Sequence, residues 1–329
     1  MTVQCNIATL GFQNHTTLRE VRIVGFETLH SFKLVLFAGF FTTYILTLSG
    51  NLIICLLILF CKCLHSPMYF FLCNLSMSEI LFTTNIVPNL LHTLLNGGIT
   101  ISLTGCFTQF YFFGVFSVTE SLLLTIMSYD RFLAICKPLH YTSIMDSWLC
   151  FRLTLTCWTV GFVIMSITLG FLCRLDFCGQ NVINHFFCDF SPILDLSSSD
   201  TTSIKIIVLL LSSTDTLFPF FFIIATYGYI MMAIIQIPSA KGKQKAFSTC
   251  SSHLSVVFTY YATLILVYVV PARGYLLLVN KELSLLYTVV TPLLNPIIYT
   301  LRNQEIKLAI GLLARKIKHV IIRNQGGSL

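Results

Sequence analysis

Seven stretches of this chain run for about twenty residues or more almost without formal charge, and no other feature restricts the fold as strongly. They cover 34–61, 67–95, 106–129, 153–173, 206–237, 246–271 and 283–301, and the only charges inside them are Glu79, Glu120 and Asp215. A helix of that length crosses the hydrocarbon core of a bilayer while satisfying its own backbone hydrogen bonds. Strict alternation of apolar and polar residues is missing, which argues against a membrane β-barrel. Charged residues make up 10% of the chain, against about 25% in soluble domains. With 56% hydrophobic residues and a mean hydropathy of +0.84, a water-facing enzyme, a disordered chain and a collagen-like fibre are all excluded. The expected fold is an all-α membrane protein: a seven-transmembrane helix bundle over 34–301, an N-terminal tail over 1–33, and a short amphipathic C-terminal helix and tail over 302–329.

Residues 1–33 contain no uninterrupted apolar core, so the first span is expected to act as its own insertion signal. With the N-terminus outside, the inner segments hold thirteen Lys and Arg against Asp130, Asp146 and Glu305, while the outer segments balance. Basic residues collect on the cytoplasmic side, so the N-terminus is expected to be extracellular and the tail cytoplasmic, in a multi-pass plasma-membrane protein. The net charge of +7 is then a topological signal that points to anionic lipid and a cytosolic partner, not to nucleic acid. Asn14-His15-Thr16 is a glycosylation acceptor on the outer tail. Asn74-Leu75-Ser76 has the same pattern inside a span and is read as chance. Ile306, Ile310, Leu313 and Ile317 form an apolar stripe flanked by Lys307, Arg315, Lys316 and Lys318, the pattern of a helix lying along the inner membrane face.

Five motifs carry a more specific message. Gly50-Asn51 lies in the first span, and Leu64-His65-Ser66-Pro67-Met68-Tyr69-Phe70-Phe71-Leu72 opens the second. Met127-Ser128-Tyr129-Asp130-Arg131-Phe132-Leu133-Ala134-Ile135-Cys136 ends the third and is followed by Pro138-Leu139-His140-Tyr141. Lys245-Ala246-Phe247-Ser248-Thr249-Cys250-Ser251-Ser252-His253-Leu254 begins the sixth, and Thr291-Pro292-Leu293-Leu294-Asn295-Pro296-Ile297-Ile298-Tyr299 closes the seventh. In this order they closely resemble vertebrate odorant receptors, a branch of the rhodopsin-like G-protein-coupled receptors. The resemblance runs from about Gly50 to Glu305. It implies a receptor, not an enzyme, that binds small volatile molecules and activates a stimulatory heterotrimeric G protein to raise cyclic AMP. Three positions depart from the family pattern: Tyr260-Tyr261-Ala262 for Phe-Tyr-Gly, Thr226-Tyr227 for Ser-Tyr, and Glu79 where Asp is commoner.

The outer cysteines are Cys5, Cys106, Cys173, Cys178 and Cys188. The resemblance implies a disulfide between Cys106 and Cys188 that pins the second outer loop over the helix mouth. The family's second loop bridge would join Cys178 to the position held here by Ser198, which cannot form it. Cys178 is therefore free or paired elsewhere, with Cys173 or Cys5 as partners and a free, inert thiol as the default expectation.

Phe110, Phe113, Gly114 and Ser117 share one face of the third helix, and Tyr261, Leu264, Ile265 and Tyr268 share one face of the sixth. Plain helix packing produces the same spacing. By resemblance these stretches line the ligand cavity, with Ser117, Tyr261 and Tyr268 orienting a small lipophilic ligand. Asp215 is the sharpest anomaly, because a carboxylate inside a span must find a cavity or a partner. It lies four residues before Pro219 and one turn after Leu211 and Ser212. Two readings stand: a hydrogen-bond anchor for a ligand, or a protonated core residue. Amine receptors place their acid on the third helix, where this chain has Phe113, which weakens an aminergic reading.

Glu79, Glu120 and Asn295, with Asn51 nearby, correspond to the internal cation pocket of the wider family. A sodium ion or a shared proton would relieve two neighbouring carboxylates, and this ion pocket is the favoured reading over two separately hydrogen-bonded acids. No other cofactor and no metal centre is expected. At the inner end Asp130 is expected to hold Arg131 as an ion pair, with Tyr227 and Tyr299 as switches by resemblance. Pro219, Pro292 and Pro296 supply helix breaks, and Lys241, Lys243 and Lys245 stand at the foot of the sixth helix. Rival functions fit less well. A transporter predicts two related halves, a channel a ring of carbonyls or charges, and a membrane enzyme a catalytic cluster such as H-E-x-x-H or G-x-S-x-G. The closest rival is a rhodopsin-like receptor for a non-odorant small metabolite.

Overall fold

The computed structural model describes residues 18–26, 32–178, 180–269, 281–303 and 305–311. Among the described residues, six helices are long and apolar enough to cross a membrane: Lys33–Phe60, Pro67–Asn96, Leu103–Cys136, Ser147–Leu172, Thr202–Gln236 and Lys281–Thr300. The sixth span in chain order belongs to the helix Ala240–Leu264, whose apolar stretch, His253–Val267, is shorter. Its first turns carry Lys241, Lys243 and Lys245 and stand beyond the apolar zone. Together the seven make an all-α transmembrane bundle.

Several helices outrun the apolar stretches that announce them, because their ends are fixed by polar caps. Ser102 accepts from the Gly105 amide at 3.0 Å and starts the third helix early. Asp146 accepts from Leu149 N at 2.7 Å and starts the fourth six residues before its apolar run. Gly97, with φ of 69°, ends the second helix in the left-handed conformation that glycine adopts without penalty.

The third helix sits at the centre, with 67% of its apolar window buried, whereas the fifth has 17% buried and presents Leu210, Phe218, Phe221 and Ile235 to lipid. Close approach is bought with small residues: a Cβ on Gly161 would lie 2.9 Å from both the Val115 carbonyl and Thr119 Oγ1, and one on Gly50 3.0 Å from Pro296.

One end of the bundle carries a three-stranded sheet, which the sequence reading did not anticipate. Strand β1 (Glu20–Ile23) lies in the middle, antiparallel to β2 (Ile99–Ser102) and parallel to β3 (Val182–Ile183). Val21 and Ile23 are fully buried and Glu20 and Arg22 face out, the period of two that a half-covered strand requires. The segment before the first span is thus built into the end of the bundle. In the half nearer the sheet, π turns interrupt the sixth helix at Ile265–Val269 and the seventh at Leu286–Val290.

Candidate functional site

The sheet closes one mouth of the bundle. Cys106, at the start of the third helix, is disulfide-bonded to Cys188, 82 residues away, with Cα atoms 5.5 Å apart. Gln109 Oε1 accepts from Cys188 N at 2.9 Å, and Gln109 and Asn85 exchange two further bonds of 2.9 Å, which ties the loop to the second and third helices together. Beneath the loop Phe187 packs on Phe113 at 5.0 Å, and Phe26 stacks on Phe186 at 5.7 Å. His185 is wedged against both loop phenylalanines at 4.7 Å, and neither ring nitrogen makes a hydrogen bond. Burial, with the Lys281 ammonium nearby, pushes its imidazole down to about 3. Lys281 itself donates to the Gly25 carbonyl and, at 2.9 Å, to Asn184 Oδ1.

The default expectation for Cys178 is corrected: it is disulfide-bonded, and its partner lies outside the described residues, as does Cys5. Cys173 is free and exposed. Where the family has a cysteine, the serine run does another job. Ser197 and Ser198 hydroxyls donate to the Asp176 carbonyl at 3.2 and 3.1 Å, and Ser199 Oγ accepts from Asp176 N at 3.0 Å. Hydrogen bonds therefore hold the strand beside Cys178.

Below the lid, the expected ligand-facing residues fall into three groups. Phe110 and Phe113 are buried under the loop, Phe110 against Phe190 and Phe113 among Phe82, Phe187 and Tyr287. Gly114 faces the fourth helix, where a Cβ would strike Met165 Sδ at 2.2 Å. The rest gather between the third, fifth and sixth helices. Tyr261 is fully buried; its hydroxyl meets Ser121 Oγ at 2.9 Å and donates to the Ser121 carbonyl at 3.1 Å. Ser121 Oγ also reaches the Asp215 carbonyl at 3.2 Å. Tyr260, the departure from the family's Phe, donates to the Ser117 carbonyl at 2.6 Å. Leu264 is buried; Leu211, Ser212 and Ile265 are half-buried, and Ser212 Oγ bonds back to the Val208 carbonyl at 2.7 Å. The Tyr268 side chain lies outside the described residues. No described residue hydrogen-bonds the Asp215 carboxylate.

Deeper in the bundle, Glu79, Glu120, Asn51 and Asn295 are all buried. Asn295 Nδ2 donates to Glu79 Oε1, and Asn51 Nδ2 donates to the Thr47 carbonyl at 3.2 Å. That leaves four acceptor oxygens without a donor: Glu79 Oε2, Glu120 Oε1, Asn51 Oδ1 and Asn295 Oδ1. Buried oxygens of this kind are costly unless a proton or cation reaches them.

At the end opposite the sheet, the expected ion pair is replaced. Asp130 Oδ1 accepts from the Tyr141 hydroxyl at 2.8 Å, and among the described residues no ion pair joins it to Arg131. The short helix Pro138–Ile144, started by Pro138, carries Tyr141 back under the third helix. Arg131 Nε, the Tyr299 hydroxyl and His253 Nε2 are buried without partners, while the Tyr227 hydroxyl meets His253 Nδ1 at 2.7 Å. Tyr69 bonds Glu305 Oε2 at 2.7 Å and Asn303 Oδ1 at 3.1 Å. Asn303 in turn caps the helix at 305–311, on which Ile306 and Ala309 are buried and Lys307 and Leu308 exposed. The rest of the expected stripe, Leu313 to Lys318, lies outside the described residues. Tyr141 and Tyr69 were visible only as members of motifs; neither burial nor periodicity marks a tyrosine as an acid's partner.

A sequence profile of the olfactory receptor family matches residues 40–316. Human olfactory receptor 6B1 is 45% identical over 302 residues, covering 92% of this chain and 96% of that protein. Human olfactory receptor 6Y1 is 44% identical over 92% of the chain and 93% of its own length, and mouse olfactory receptor 1M1 44% over 93% and 98%. A bundle of membrane-spanning helices, the five motifs in order and near-full-length similarity converge on a multi-pass plasma-membrane receptor with no enzymatic role: the chain belongs to the olfactory receptor family of G-protein-coupled receptors.

Proposed function

We propose that small volatile lipophilic molecules enter the bundle beneath the disulfide-tied lid and shift it to a state that activates a stimulatory G protein and raises cyclic AMP. The N-terminus, with Asn14 as its glycan acceptor, is outside; the Arg131 end and the tail are in the cytosol. One observation carries the reading: Arg131 Nε, the Tyr299 hydroxyl and His253 Nε2 are buried together without partners at the basic end. Unsatisfied buried groups favour any rearrangement that pairs them. A ligand can drive that change only by binding the open state more tightly than the closed one. Phe110, Phe113, Ser117, Leu211, Ser212, Asp215, Tyr261, Leu264, Ile265 and Tyr268 are proposed to face it, with Gly114 setting the space beside them.

The four donorless oxygens fit a sodium ion. Glu79, Glu120, Asn51 and Asn295 would hold it, and the ion would neutralise two carboxylates that otherwise repel each other. Neutralising both acids is expected to abolish sodium dependence of basal signalling; an unchanged dependence would exclude the ion. For the receptor itself, a chemically diverse volatile panel on transfected cells is expected to give at least one saturable cyclic AMP response. Arg131→Ala should remove that response with the chain still at the surface. Substrate uptake without cyclic AMP would contradict the reading.

A further inference from the structure

We infer that the ligand subsite at Asp215 takes the ammonium group of a small lipophilic amine, an assignment that rests on the receptor reading above. The third helix has no acid at Phe113, whose ring is committed to packing under the lid, and its Glu120 lies in the deeper cluster with Glu79. The carboxylate comes instead from the fifth helix. Asp215 lies four residues from buried Pro219, on the flank of that helix between the buried Pro219–Ile223 stripe and the exposed Phe218. The residue is half-buried, so neighbouring protein leaves part of its surface uncovered.

Its surroundings offer no counter-charge. Among the described residues no Lys, Arg or His pairs with it, and Arg131 is about 18 Å further along the bundle, judged by twelve helical residues to Tyr227 beside it. The nearby hydroxyls are already spent: Tyr261 on Ser121, Tyr260 on the Ser117 carbonyl, and Ser121 on the Asp215 backbone. What remains is a carboxyl group beside a run of three aromatic rings, Phe220 packing on Tyr261 at 5.6 Å and Tyr261 on Tyr260 at 5.2 Å. A carboxyl group near aromatic rings, with no described residue donating a hydrogen bond to it, suits an alkylammonium: the charge pairs with the acid and the methylenes and rings supply the rest. A neutral alcohol would gain one hydrogen bond and no charge pairing.

The test compares straight-chain primary amines with alcohols of equal length on cells expressing the full chain, read as cyclic AMP dose–response curves. Amines are expected to be about tenfold or more the more potent. Asp215→Asn, similar in size and uncharged, should lower the amine-to-alcohol potency ratio about tenfold, while Asp215→Glu retains it. Amines no more potent than alcohols, or an Asp215→Asn variant that weakens both series alike, would overturn the inference. If that variant does not reach the surface, the wild-type comparison decides alone. A panel in which neutral volatiles signal and amines do not defeats this inference only; silence to every class from a surface-expressed chain defeats the receptor reading.

Discussion

At the sheet end the chain ties itself down covalently and through backbone bonds: Cys106–Cys188, the β2-β1-β3 sheet, the Gln109–Asn85 exchange and Lys281 on Gly25 and Asn184 join segments far apart in sequence. At the Arg131 end, among the described residues, separate segments are joined by side-chain bonds alone, Tyr141 to Asp130, Tyr227 to His253, Thr226 to Ser128, Cys136 to the Tyr229 carbonyl and Tyr69 to Asn303 and Glu305, and several buried atoms have no partner. Cross-links that close long chain loops raise the cost of opening, whereas a buried donor left unpaired lowers the cost of leaving its present arrangement. The difference teaches that one end is built to stay and the other to change partners.

The largest effect should follow from removing the lid's covalent tie. Cys106→Ser with Cys188→Ser is expected to cost roughly 2–4 kcal/mol, seen as lost surface staining and a lower melting temperature in detergent. A variant of unchanged stability would erase the contrast. Next comes a control in the shared core. Gly161→Ala drives a Cβ into the Val115 carbonyl, which cannot move aside, for about 1–3 kcal/mol. Gly114→Ala meets only the flexible end of Met165 and should cost less. Equal losses in thermal unfolding would mean that the third and fourth helices give way more easily than their backbones imply.

Acid should loosen the lid specifically. The folded His185 imidazole lies at about 3 and an ordinary one at 6.5, so between those values the opened loop binds more protons. Lid stability is therefore full above about pH 6.5 and declines as pH falls toward 3. Relative to the intrinsic exchange rate at each pH, amide protection across 182–188 should fall from pH 7.5 to 5, and His185→Phe should flatten that dependence; the same slope in the variant would place the titration elsewhere. The smallest change in stability is expected for Tyr141→Phe, roughly 0.5–1.5 kcal/mol. Its signature is functional: freeing Asp130 should alter basal cyclic AMP while leaving lid exchange untouched.

What could be read in advance divides along the same line. The spans were legible because about twenty uncharged residues admit few alternatives, and the Cys106–Cys188 bridge followed from resemblance. The sheet was not. Glu20–Ile23 is four residues of ordinary alternation, and its partners lie 75 or more positions away, a pairing that no local pattern encodes. Helix ends were missed where Ser102 and Asp146 carry the backbone past the apolar zone. Asp130 was expected to face Arg131 because they are adjacent in sequence, but adjacent residues on a helix point about 100° apart. Tyr141, eleven residues on, takes the acid instead. Cys178 shows the same limit, since only the folded chain reveals that its thiol is bonded.

The contrast between the ends has meaning only if the tied lid faces the outside and the Arg131 end the cytosol. Epitope tags at the two termini, stained on intact and then on permeabilised cells, test this directly. The account predicts that the N-terminal tag stains on intact cells and the C-terminal tag only after permeabilisation. Both tags on one side of the membrane, or the reverse pattern, would contradict it.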